Sequence, residues 1–201
     1  MNAFSYFLAF YSIVLGLSLV ELLAGLARTI DNRRASRPSR LTLLLALFVT
    51  LDLSSYWIQA WWLYQNAPLS MTIITHGLIA AGSYYVAAYL IFPRRYDELP
   101  AENAGEHFWD TRRWIFGAVL LTNVLNVGTM ALLTGGFGFI GSPLYLAFIA
   151  TFYVACAVAV AAPRGRAVVV ALGWLILFSV IALGLDLANV IRAGPWTLGV
   201  A

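Results

Sequence analysis

Six apolar runs, each of about 20 residues, follow one another along this chain: Phe4 to Ala27, Leu41 to Tyr64, Ser70 to Phe92, Trp114 to Leu133, Leu144 to Ala162 and Ala167 to Ile191. A helix of that length crosses the roughly 30 Å of hydrocarbon in a bilayer. Backbone groups in lipid must be satisfied within the segment, and runs this long do not suit barrel strands, so each is read as a helix. The breaks carry turn chemistry: Arg37-Pro38-Ser39, Asn66-Ala67-Pro68, Pro93, Gly135-Gly136 with Ser142-Pro143, and Pro163-Arg164-Gly165. No run contains an internal proline. The expected fold is an all-α integral membrane protein, a six-transmembrane-helix bundle forming one domain over residues 1–201.

Composition agrees and narrows the chemistry. Of the residues 62% are hydrophobic and 10% charged, where a soluble domain carries about 25% charged residues. The hydrophilic stretch Pro93 to Arg113 is too short to make a soluble domain. The chain has no lysine, which removes a Schiff base, a P-loop lysine and lysine-based catalysis. Its one cysteine, Cys156, lies inside an apolar run, so no disulfide framework or cysteine metal site is expected. The net charge of +3 comes from arginines in short loops, where they set topology and do not argue for nucleic acid.

Those arginines orient the bundle. Arg28, Arg33, Arg34, Arg37 and Arg40 fill the first loop, Arg94, Arg95, Arg112 and Arg113 the third, and Arg164 and Arg166 the fifth; only Arg192 falls on the other side. The positive-inside rule puts these loops in the cytoplasm and both termini outside. Met1 to Tyr11 has no basic residue, so the first span is expected to be retained and not cleaved as a signal peptide. On the fifth span Ala147, Thr151, Ala155 and Ala159 recur every four residues, a stripe that admits a close neighbour and predicts a central place in the packing. Ser12 with Gly16, Gly77 with Ala81, and Gly184 with Ala188 are shorter versions of it.

The polar residues inside the spans gather at one depth. Asp52, Ser55, Tyr56 and Gln59 share one face of the second helix, with Asp52 near the midplane. The third span adds Thr72, Thr75, His76 and Ser83, the fourth Asn123, Asn126 and Thr129, and the sixth Ser179, Asp186 and Asn189, with Arg192 placed to hold Asp186 ionised. The cytoplasmic halves, such as Leu43 to Val49 and Val168 to Phe178, are almost wholly apolar. An acidic group at mid-bilayer is unfavourable by roughly 2.5 to 3.5 kcal/mol, so it faces protein or water and has a partner or a task. The expectation is an outward-facing polar cavity floored near Asp52. Its candidate ligand residues are Asp52, Tyr56, Gln59, His76, Asn126 and Asp186. Glu21, in the cytoplasmic third of the first helix, reads as a group pairing with the arginine loop or as a second station for an ion.

Other motifs fail in context. Thr134-Gly135-Gly136-Phe137-Gly138 spells a potassium filter but lacks a preceding pore helix, so a turn is expected. Protease signatures are missing, and His107 lies in a loop and cannot pair with His76 on a haem. No catalytic residue, cofactor or metal is assigned; an ion held by Asp52, His76 and Asp186 has suitable donors but no supporting spacing. Pro93 to Arg113 reads as a solvated connector, with Trp109 and Trp114 at the interface. Trp57, Trp61, Trp62 and Tyr64 crowd the outer end of the second helix.

The stretch Tyr11-Ser12-Ile13-Val14-Leu15-Gly16-Leu17-Ser18-Leu19-Val20-Glu21-Leu22-Leu23, with His107-Phe108-Trp109 and Arg112-Arg113-Trp114, resembles a loosely defined group of small polytopic bacterial inner-membrane proteins to which no activity is assigned. The resemblance implies a bacterial inner-membrane location and nothing about chemistry. Two functions are carried forward. One is binding or transport of a small solute or ion in the cavity. The other is a membrane-embedded sensor or partner subunit, alone or as a homo-oligomer, whose buried polar groups are structural and whose arginine loops touch anionic lipid.

Overall fold

A computed structural model describes residues 3–32, 39–64, 70–94 and 105–192, with backbone alone for 3–7, 61–63, 139–140 and 189–192. The described residues form helices and turns and no strand: α1 (Ala3–Asp31), α2 (Arg40–Tyr64), α3 (Met71–Ile91), α4 (Glu106–Thr134), α5 (Pro143–Ala161) and α6 (Arg166–Arg192). All six are long and apolar enough to cross a membrane, the architecture of a multi-pass membrane protein. Their starts follow from the sequence. Ser70 caps α3 by accepting from the Ile73 N–H at 3.3 Å, and Ser142 caps α5 from Tyr145 at 3.2 Å with Pro143 in the first turn. The Thr134-Gly135-Gly136-Phe137-Gly138 stretch ends α4 on a left-handed Gly135 (φ 73°) and continues into a 3₁₀ turn at Phe137–Ile140.

Neighbours in space are not neighbours in sequence. α3 packs most extensively on α4 and α1, α5 lies between α4 and α6, and α2 meets α1, α3, α4 and α6. The central element is α2, which corrects the expectation for the fifth span. On α5 only Ala155 and Ala159 of the small stripe are buried, while Ala147 and Thr151 are exposed. Gly16 and Gly184 face open space, whereas Gly77 and Ala81 are packed. Small residues permit close approach but do not choose a partner.

The ends of α1, α3 and α5 and the start of α4 are tied together by the arginines. Arg28 and Arg94 each donate to Glu21 Oε1 at 3.1 Å. The Arg94 guanidinium also lies 3.5 Å over the Tyr89 ring. Arg164 spans Glu106 at 2.5 Å and Asp110 at 2.6 Å. The region from residue 106 to 113 is not a connector: α4 begins eight residues before the apolar run, because Phe108, Arg112, Ile115, Phe116 and Val119 make one buried helical stripe. The half of the bundle behind these ties is closely packed, its core built on Leu45, Phe48, Val49, Ile115, Phe116, Leu172 and Leu175, with Phe48 and Phe116 stacked at 5.9 Å.

Where α1 crosses the end of α3, Gly25 is buried against Phe92, and a Cβ there would come within 2.8 Å of the ring's Cγ. Gly25→Ala is therefore expected to destabilise the bundle by about 1–3 kcal/mol, as overpacking of a core does. Thermal unfolding in detergent measures this; an unchanged midpoint would mean that the α1–α3 seam yields.

Candidate functional site

Asp52 stands half-way along α2 and is 6% exposed. Its Oδ2 accepts two hydrogen bonds, from the Tyr84 hydroxyl of α3 at 2.7 Å and from Asn123 Nδ2 of α4 at 3.3 Å. Asn123 also donates to the Val119 carbonyl at 3.0 Å, and its own carbonyl accepts from the Tyr153 hydroxyl of α5 at 3.1 Å. Two neighbouring helices thus bond one carboxyl, and α5 is joined to it through Asn123. Among the described residues no cationic side chain forms an ion pair with it.

On the side of α1 and α3 the polar groups continue as a sealed aromatic cluster. The Tyr56 ring lies 5.2 Å from Tyr84 and 6.3 Å from Tyr11, and Tyr11 lies 5.9 Å from Tyr64. The Tyr64 hydroxyl meets His76 Nδ1 at 2.6 Å. Tyr11, Tyr56, Tyr64, Tyr84 and His76 are all buried. Small residues on α3, among them Gly77, Ala80, Ala81 and Ala88, make room for these rings.

On the side of α4, α5 and α6 the bundle opens. The buried stripe of α6 runs Val168, Leu172, Leu175 and Ser179, and that of α5 runs Phe152, Ala155, Cys156 and Ala159. Beyond Asn126 on α4, before Phe152 on α5 and after Ser179 on α6, no described helical side chain is buried. The inward faces carry on past the packing: Asp186, two turns beyond Ser179 on the same face of α6, is exposed. Gln59 is exposed too, yet accepts from Asn126 Nδ2 at 2.6 Å across the gap between α2 and α4. A depression lined by Val124, Leu125, Gly128, Thr129, Leu132 and Phe137 lies at the end of α4, formed by that helix and the turn after it alone.

The sequence-derived set is therefore divided. Asp52, Gln59 and Asn126 belong together around the mouth and floor of the opening, with Asp186 further out on its α6 wall. Tyr56 and His76 reach Asp52 only through the sealed cluster. Pairing of Asp186 with Arg192 and a stacking role for Trp61 and Trp62 fall outside the described side chains. Glu21 makes no bond to the Asp52 group and is held by Arg28 and by Arg94, the second a partner that reading of the first loop alone missed. No group of three metal-holding side chains occurs among the described residues. Sequence reasoning also missed Tyr84 and Tyr153. Tyr84 lies two turns from His76 on one face of α3, a signal that was available; Tyr153 had none.

Arg112, a loop arginine by its place in the sequence, is 2% exposed. Its guanidinium donates to the Ala159 carbonyl and, at 2.5 Å, to the Ala162 carbonyl, with the Trp109 ring 5.5 Å away. The C-terminus of α5 is thereby fixed to α4, beneath the opening.

No family model matches the chain, and no curated protein or solved structure does either.

Proposed function

We propose that this is a bacterial inner-membrane protein, with the arginine loops in the cytoplasm and both termini outside, whose outward-facing vestibule between α2, α4, α5 and α6 admits a small solute or ion to Asp52. The observation that carries the reading is the burial asymmetry of α4, α5 and α6: each is packed toward the arginine loops, and among the described residues none has a buried side chain beyond Asn126 on α4, before Phe152 on α5 or after Ser179 on α6. The orientation rests on the positive-inside rule. A carboxyl at the floor of such an opening, bonded to neutral donors alone, is the group on which binding would centre. The arginine side would meet anionic lipid. The second reading, a partner subunit, draws on Asp186, exposed beside Leu183 and Leu187 on a face that another helix could cover.

Thiol labelling tests the vestibule. In a Cys156→Ala background, Gln59→Cys and Leu183→Cys are expected to react with a membrane-impermeant thiol reagent applied from the periplasmic side. Leu47→Cys, exposed but in the closely packed half, is the lipid-facing control and is expected to stay unmodified, because thiolate does not form in hydrocarbon. Labelling of Gln59→Cys only from the cytoplasmic side would reverse the orientation. No labelling of either residue from either side would remove the vestibule and leave the partner-subunit reading.

A further inference from the structure

The groups facing Asp52 can be named helix by helix. They are Tyr56 on α2, Tyr84 on α3, Asn123 on α4, and Tyr153 and Cys156 on α5, with Tyr11 of α1 behind Tyr56; α6 contributes the buried hydroxyl of Ser179 at the same level. His76 stands behind Tyr64, and Asp186 is exposed further out. None of the groups around the carboxyl is a cation. A carboxylate buried without a counter-charge is costly, so charge at this site is balanced either by a proton on the carboxyl or by a cation that the protein does not itself supply. Tyr84 suits both states, because a hydroxyl donates to a carboxylate and accepts from a carboxylic acid.

The lining also selects among cations. A bare metal ion replaces its water shell with several oxygens, often backbone carbonyls. Here α2 and α4 are continuous helices through this level, with their carbonyls committed to helical hydrogen bonds. What the α5 and α6 wall offers instead is aromatic. Phe148 and Phe178 stack at 4.3 Å, Phe152 lies 5.2 Å from Phe178, and Tyr153 is half-buried beside them. Ring faces attract alkylammonium ions and demand no ordered shell.

We propose that Asp52 exchanges its proton for a small organic ammonium ion that comes in between α4, α5 and α6. The carboxylic O–H bond breaks, the proton passes to water in the vestibule, and the carboxylate pairs with the ammonium, so the charge of the site is unchanged. This rests on the vestibule reading and names the class of its ligand.

Tetramethylammonium is the suitable probe, since it carries no proton of its own. Added to the full-length protein in nanodiscs in weak buffer with a pH-indicator dye, it is expected to bind and release about one proton per ion. Its Kd should then fall about tenfold for each pH unit of rise while Asp52 is protonated, as one-for-one linkage requires. Asp52→Asn should lose both binding and release with its melting midpoint kept, and Asp52→Glu should retain release. Binding without proton release overturns the exchange. Proton release by sodium but not by tetramethylammonium overturns the organic class. No binding of either ion by a protein whose Gln59→Cys variant still labels overturns the inference and leaves the vestibule standing.

Discussion

Arg112→Ala is expected to lower the stability of the bundle by about 3 kcal/mol, the largest single effect outside the Asp52 site. The reason begins with Pro163. In an α-helix the carbonyl of residue 159 would accept from the N–H of residue 163, and proline has no N–H to give. The Ala159 carbonyl is thus orphaned within α5, in a buried place where water does not reach it. Arg112 supplies the missing donor and a second one to Ala162, and its positive charge lies at the negative end of the α5 dipole. Hydrogen bonds to charged groups contribute about 1.5–3 kcal/mol each, and two that share one guanidinium do not add fully. For a chain of this size the melting midpoint should fall by roughly 6–12 °C. Arg112→Lys should recover only part of the loss, because an ammonium cannot present the planar fork that reaches both carbonyls. If Arg112→Ala melts within about 2 °C of the parent, less than one hydrogen bond's worth, the clamp contributes nothing and α5 is held by packing alone.

Arg112 also shows where reading the sequence stopped. The six spans were legible because hydropathy over about 20 residues is a local property, and helices α1, α2, α3, α5 and α6 begin and end within a few residues of the apolar runs. α4 was read short because its first two turns mix Glu106, Asp110 and Arg113 with the buried positions Phe108 and Arg112, which lowers the mean hydropathy while the helical stripe continues. A loop arginine and a buried arginine look the same in a sequence. Only the partner helix, with its proline, tells them apart.

The candidate site was legible to the same depth. Asp52 stands out because an acidic residue in mid-span is expensive wherever it points. Its partners come from α3 and α4, and the order in which helices pack is not written in any one of them. Polar residues at a common level on four helices were read as one cavity. The structure separates them into a sealed tyrosine–histidine cluster and an open side, with Asp52 on the boundary. The stripe of small residues misled in the opposite way: α5 carries the fullest one yet lies at the edge of the bundle, while α2, whose middle carries Leu53, Tyr56 and Trp57 and no such stripe, touches the most neighbours.

Asp52 itself is expected to separate stability from binding when it is replaced in two ways. Asp52→Leu fills the space but leaves the Tyr84 hydroxyl, 1% exposed, and the Asn123 amide without their shared acceptor. A buried polar group left unpaired costs about 1–3 kcal/mol, so Asp52→Leu should destabilise by roughly 2–4 kcal/mol, since Asn123 keeps its bond to Val119. Adding Tyr84→Phe should restore part of that loss, because removing both members of a buried pair is far cheaper than removing one. The double variant is the control that makes the first result interpretable. If it is no more stable than Asp52→Leu, the stranded hydroxyl is not the source of the cost, and cavity or backbone adjustment is. Asp52→Asn keeps an oxygen for Tyr84 and is cheaper to bury than a carboxylate, so it should melt within about 1 kcal/mol of the parent while cation binding and solute uptake disappear. A structural role alone predicts the reverse pattern, in which the amide retains full binding and only the apolar variant fails. The two patterns are read in the same melting and binding measurements, and a stable Asp52→Asn protein with undiminished binding would move the site away from this carboxyl.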